Sequence, residues 1–239
     1  MSAVDARSSR STASDRGSLH ARLAPLVVAT VIGASSAAGA VIEPVVLADP
    51  AAPLAQTWTH KCFGRATEYD RVTLDGRAAI RATGRGSASG LYRDVRYRVA
   101  DRPWLEWAWR VEQLQRTADI RVKDREDFAA AIFLIFGRPA AVGREVPTLA
   151  YVWTSSRLPE GAVVESPHHA GTVRHIVVRS GAARLGQWLH ERRNLVHDFR
   201  TAFGREPPEA VETVALFTDS DQTAERVEAY YGEIRAASE

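Results

Sequence analysis

The chain has one cysteine, Cys62, one methionine, Met1, and two lysines, Lys61 and Lys123, among its 239 residues. A single cysteine excludes an internal disulfide and any thiolate zinc cluster, and the expectation for Cys62 is a buried, inert thiol. With lysine so scarce, arginine carries the positive charge. Acidic residues interleave with the arginines throughout, so there is no basic block for nucleic acid to neutralise. Also missing are the motifs of nucleophilic and nucleotide chemistry. Gly84–Gly90, GRGSASG, has the spacing G-x-G-x-x-x-G, lies between two alternating segments and carries alanine where a serine elbow needs its nucleophile. It is expected to be a hairpin turn.

The longest uncharged run lies at the front of the chain. Met1–Arg22 is rich in Ser and Ala, and Leu23–Ala40 is uncharged and ends in small residues. Only Leu23–Ile32 is strongly apolar, which is short for a membrane span. Ala38-Gly39-Ala40 fits the small-x-small cleavage rule, with Val46-Leu47-Ala48 as a second candidate. The expectation is a signal peptide over residues 1–40 and a mature protein in the periplasm or secreted, with no membrane anchor after cleavage. Removing that segment takes away four arginines and two aspartates, the whole of the formal +2 charge. Residues 41–55, with ADPAAPLA inside them, are expected to be a linker ahead of one domain at 56–239.

Beyond residue 55 the dominant period is two. In LEWAWRV, Leu105, Trp107, Trp109 and Val111 share one face while Glu106, Ala108 and Arg110 share the other, the pattern of a strand with one side buried. AAAIFLIF, Ala129–Phe136, is apolar on both faces and is expected to be a central strand covered on both sides. TLAYVW, VRHIVV, VETVALF and RVEAYYGEI continue the series, separated by Gly, Pro, Asp and Ser. One segment has helical spacing, WLHERRNLVHDFRTAFG, with Trp188, Arg192, Leu195, Val196, Phe199 and Phe203 on a stripe. Asn194 is placed as N-cap and Gly204 past the C-terminus. The fold class implied is mainly all-β, an antiparallel β-sandwich of jelly-roll type with one short inserted helix.

Several motifs in order, WLEWAWRV, DIRVKDREDF, YVWTS, LGQWLHERRNLVHDFRTAFG, ALFTDSDQT and AYYGEI, resemble the domain-of-unknown-function family numbered 3047 across roughly Gln56 to Arg235. The resemblance implies an exported bacterial protein and no assigned activity. The chain departs from that family's usual pattern at Gln222, where Asn is common, and at Glu233, where Asp is common.

The candidate chemistry is carboxylate and aromatic. Asp219, Asp221 and Thr223 open like a calcium loop. Position six is Ala224 and position twelve is Tyr230, which excludes an EF-hand and leaves a calcium site built on Asp219 and Asp221, or a plain hydrogen-bonded turn. His168-His169 would point oppositely on a strand, and His190 and His197 would share a helix face without closing a zinc site. Asp119, Asp127 and Asp198 are the acids named for a glycoside-cleaving pair, should the protein be an enzyme. Trp188, Tyr230 and Tyr231, beside Asp219 and Asp221, form the candidate ligand set, and alternation sends one of the paired tyrosine rings in and the other out. The expectation is a non-catalytic binder, of a glycan or another envelope ligand. A glycan-cleaving enzyme and a structural envelope protein are the rivals, and nothing bears on oligomeric state.

Overall fold

The computed structural model describes residues 42–137 and 146–238, and the expected signal segment lies outside them. Thirteen strands are described: β1 Val45–Ala48, β2 Thr59–Cys62, β3 Glu68–Leu74, β4 Arg77–Arg85, β5 Ala88–Arg98, β6 Trp104–Gln113, β7 Ala130–Ile135, β8 Thr148–Thr154, β9 Val163–Glu165, β10 Val173–Ser180, β11 Leu189–Asn194, β12 Ala210–Asp219 and β13 Arg226–Ala237. The α-helices are α1, a single turn at Leu54–Thr57, and α2, Leu195–Phe203, and a 3-10 turn lies at Lys123–Arg125. The strands form a largely antiparallel sandwich of two sheets. One runs β11-β6-β13-β4-β3, with β1 also on β13. The other runs β2-β5-β12-β7-β8-β10-β9, and its β8–β10 pair is parallel.

Alternation accounts for the core. Trp107, Trp109 and Val111 of β6, Tyr231 and Ile234 of β13, and Ile80 of β4 face Leu134 of β7, Tyr151 and Trp153 of β8, and Leu216 of β12 across the sandwich. Trp107 lies 5.2 Å from the ring of Tyr151, and Trp109 lies 6.0 Å from Trp153. Tyr231 and Ile234 are three apart yet both inward, because β13 bulges there: Tyr231 pairs with Trp109, and Ile234 with Trp107. Gly232 sits in the bulge, where a Cβ would come within 3.1 Å of the Ala108 side chain.

Helix α2 is capped as its residues demand. Asn194 Oδ1 accepts the N–H of His197 at 2.9 Å, and Gly204 takes φ +66°. Four expectations need correction. Residues 41–55 are not a linker, since β1 pairs with β13 and buries Leu47 and Ala48 completely. GRGSASG is not a hairpin turn, since β4 and β5 belong to different sheets and the chain crosses the sandwich at Arg85–Ser87. Trp188 and Arg192 are not on the helix, because Leu189–Asn194 is strand β11 alongside β6, so His190 and His197 share no helix face. Cys62 is exposed, with Sγ 3.9 Å from His60 Nε2.

Candidate functional site

The second sheet has a patterned outer face. Strand register sets Tyr92, Ala215, Phe133, Ala150 and His175 side by side across β5, β12, β7, β8 and β10. The next row is Gly90, Phe217, Ala131, Val152 and Val177. Large rings therefore alternate with alanine or glycine, which makes a floor with hollows. At Gly90 a Cβ would meet Phe217 Cδ2 at 2.5 Å, so the ring lies directly over the glycine. Phe128 and Ile120, from the segment joining β6 and β7, cover the far part of this face. What remains open is a groove of about 320 Å³ lined by Phe63, Tyr92, Phe133, Phe217 and Ala88 on its apolar side. Its polar side carries Glu126, Ser166, His168, His175, Asp219, Asp221 and Gln222. Phe63 stands 64% exposed at the mouth, its ring 5.8 Å from Phe217, and Lys61 Nζ sits 4.5 Å over the Tyr92 ring.

The acidic corner is where the β12–β13 turn is clamped to the β6–β7 segment. Asp219 donates its N–H to the Phe128 carbonyl at 3.1 Å. Asp127 accepts from the Thr223 N–H at 2.7 Å, from its hydroxyl at 2.5 Å and from the Gln222 N–H at 3.3 Å. Glu225 accepts in turn from the N–H groups of Arg116 and Thr117, at 2.9 and 3.0 Å. The clamp gathers three carboxylates, Asp127, Asp219 and Asp221, with oxygens within 4.8 Å of one another. Burial, then the hydrogen bond and charge of Asp221, then the charge of Asp127, push Asp219 well above the usual carboxylate range. Burial also raises Asp127, against the pull of its bonds from Thr223 and Gln222.

A second buried cluster lines the same groove. His175 Nε2 lies 2.8 Å from Glu126 Oε1, with the two side chains 1% and 5% exposed. His168 donates its N–H to Glu126 Oε2 at 3.2 Å. Burial alone would raise Glu126, but the hydrogen bonds from His175, Ser166 and His168 outweigh it and hold the carboxyl below its ordinary value.

The sequence-derived set divides. Asp219 and Asp221 line the groove and Asp127 joins them, whereas Asp119 lies outside it, paired with Arg121 at 2.7 Å. Asp198 is 2% exposed on α2, accepting from Tyr151 at 2.9 Å and from both Arg193 Nε and Nη2. Asp119, Asp127 and Asp198 thus have three separate sets of partners: Arg121 for the first, Thr223 and Gln222 for the second, Tyr151 and Arg193 for the third. Tyr231 is wholly buried in the core, its hydroxyl donating to the Phe217 carbonyl at 2.7 Å, so it presents no ring to a ligand. Tyr230 points outward on the other sheet, with its ring 6.5 Å from that of Trp188. Trp188 lines a separate depression of about 570 Å³ with Arg77, Glu106, His190 and Arg235. Trp188 and Tyr230 are therefore on the opposite sheet from the acidic corner. The residues that sequence reasoning missed are Glu126 as a site residue, His175, Phe63, Tyr92, Phe133 and Phe217. Alternation marks two of them, since Phe133 and Phe217 fall opposite the inward Leu134 and Leu216.

No curated protein matches the chain. Among solved structures, similarity extends to a family 30 carbohydrate-binding module of a Clostridium thermocellum cellulosomal cellulase, at 12% identity and TM-score 0.45, covering 83% of this chain and 99% of that one. A family 11 carbohydrate-binding module from Clostridium thermocellum, in complex with a mixed-linked tetrasaccharide, matches at 9% and 0.39, over 81% and 95%. A variant of the Cel12A cellulase of Rhodothermus marinus matches at 13% and 0.39, over 82% and 97%. At these identities and TM-scores none of them transfers a ligand or a reaction to this chain. The family described as Protein of unknown function (DUF3047) matches residues 56–235, and the chain belongs to that family.

Proposed function

We propose that this is an exported, non-catalytic binding protein whose groove on the outer face of the β2–β9 sheet takes a glycan. The observation that carries the reading is the composition of that groove: rings of Phe63, Tyr92, Phe133 and Phe217 spaced by small residues, next to Glu126, His168, Asp219, Asp221 and Gln222. A pyranose has an apolar face that stacks on an aromatic ring and a rim of hydroxyls that donate to carboxylates. A mostly apolar hollow with a few convergent polar groups is the form that small-ligand sites take, and about 320 Å³ falls within their range of roughly 300–1,000 Å³. Export is supported by the uncharged, small-residue-terminated run at Leu23–Ala40.

The test is a panel of glycans scored for retention on the immobilised protein and for released reducing ends. Retention without release is expected, and Phe63→Ala should weaken it with no change in melting temperature because the ring is largely in solvent. Release abolished by Glu126→Gln or Asp219→Asn would make the protein a hydrolase acting through carboxyls of this groove. Absence of both retention and release would end the glycan reading in favour of a protein-contact role. For export, N-terminal sequencing of protein from the producing cell should begin near Val41 or Asp49; an intact chain carrying Leu23–Ile32 would refute it.

A further inference from the structure

The three carboxylates at the corner crowd their negative charge into one small, largely buried volume. Asp127 is fully buried and Asp219 is 8% exposed, and Asp221 lies with them inside 4.8 Å. Like charges at that distance in a low-dielectric setting repel strongly. Elsewhere the protein pairs its buried acids: Asp198 with Arg193, Glu191 with Arg179, Glu126 with His175. Among the described residues no arginine, lysine or histidine pairs with any of these three.

A second observation is independent of the acids. Gln115, 1% exposed, extends its amide into the same corner, where Nε2 donates to the Asp219 carbonyl. Its Oε1 is buried with no hydrogen-bond donor. The amide cannot be turned to relieve this, because the turn would set Oε1 against the Asp219 carbonyl, oxygen on oxygen. Gln222, next to Asp221, likewise has a buried Oε1 without a donor. Orphaned acceptors inside a protein are uncommon, and each calls for an explanation. Here excess negative charge and excess acceptor capacity coincide, and one kind of ligand answers both: a cation.

We propose that Asp127, Asp219 and Asp221, with Gln115 at the same corner, hold a divalent metal ion of the calcium type. The donors are all oxygens, from carboxylates and amides, with no thiolate and no imidazole, and that set suits a hard cation and suits zinc or copper poorly. Asp127 and Asp219 come from elements far apart in sequence, so the ion would tie the β6–β7 segment to the β12–β13 turn. Asp221, the exposed member, leaves the ion open on the groove side, where water or a ligand hydroxyl completes its shell. The site does not depend on the glycan reading, and it is tested with no glycan present.

The experiment is calorimetric and thermal titration of the protein with calcium, magnesium and zinc, before and after chelation. Calcium at a hundredfold excess over its Kd should raise the melting temperature by about 5–10 °C, and chelator should reverse the gain. Asp221→Asn, an exposed change that leaves the fold intact, should weaken calcium at least tenfold. Asp219→Asn should raise the metal-free melting temperature by relieving repulsion while abolishing the calcium response. That inversion is what a plain structural turn would not produce. The proposal is overturned if calcium at millimolar concentration neither binds nor stabilises. It is equally overturned if binding survives in Asp127→Asn/Asp219→Asn/Asp221→Asn protein, or if an amino-sugar oligomer occupies the corner and calcium does not compete with it.

Discussion

Replacing Asp198 with alanine separates a structural carboxylate from a functional one, and its cost follows from the three groups around it. Tyr151 is wholly buried and gives its hydroxyl to Asp198 Oδ2 at 2.9 Å; without that acceptor the hydroxyl is stranded, at about 1–3 kcal/mol. Arg193 bonds the same carboxylate through Nε at 2.8 Å and through Nη2, but its side chain is 31% exposed and can turn to water. The full penalty of roughly 3–5 kcal/mol for breaking a buried pair therefore does not apply. About 2–4 kcal/mol is expected, read from urea unfolding as a lower midpoint at unchanged m-value. Asp198→Asn keeps an acceptor for Tyr151 and should cost about half as much. Glycan retention should be untouched in both. A loss under about 1 kcal/mol for the alanine variant would refute the reasoning and free this carboxylate for another role.

Trp107→Ala should cost roughly 3–5 kcal/mol, since the ring is 3% exposed against Tyr151 and Trp109. Trp107→Phe should cost less than about 1.5 kcal/mol, because the indole N–H it removes is buried without a partner; equal losses in the two variants would refute this packing. Gly90→Ala places a Cβ 2.5 Å from Phe217 Cδ2 and 3.0 Å from the Leu216 carbonyl, so it should destabilise by about 1–3 kcal/mol and weaken glycan retention. A silent Gly90→Ala would show that Phe217 does not lie over the glycine. Arg121 hydrogen-bonds Asp119 and, against some desolvation, holds its carboxyl at about 2, down from an ordinary 3.8. A lowered folded-state pKa contributes stability above the ordinary value and loses it as pH falls, so stability should rise between about pH 2 and pH 4. With Arg121 half in solvent the rise should stay below about 1 kcal/mol, and it should flatten in Arg121→Ala.

Where burial was one-sided and apolar, the sequence was legible. LEWAWRV alternates because Trp107 and Trp109 meet the opposite sheet, and AAAIFLIF is apolar throughout because Ile120 and Phe128 cover its outer side. The helix was legible from its caps. Strand β11 was not, because its inward residues include Glu191 and Arg193. Glu191 accepts from the Trp109 indole at 3.1 Å and from Arg179, and Arg193 pairs with Asp198. Charged side chains satisfied by partners distant in sequence have no signature in hydrophobic period. The same limit applies to the groove. Asp219 and Asp221 stood out as neighbours in one turn, but that Asp127 joins them and that Glu126 meets His175 depends on how strands of one sheet are ordered, which pattern alone does not specify.

The position of β13 sets the order in which the molecule can assemble. This strand, near the C-terminal end of the sequence, lies between β6 on one side and β4 followed by β1 on the other, with Val45 paired to Ala236. Until Arg226–Ala237 has emerged, β4 and β6 have no common neighbour, and each presents a bare edge to any strand that passes. Closing such distant pairings is slow, and the waiting state is prone to aggregation. A chain cut before Arg226 should therefore yield not a smaller sandwich but a ward of the holding chaperones.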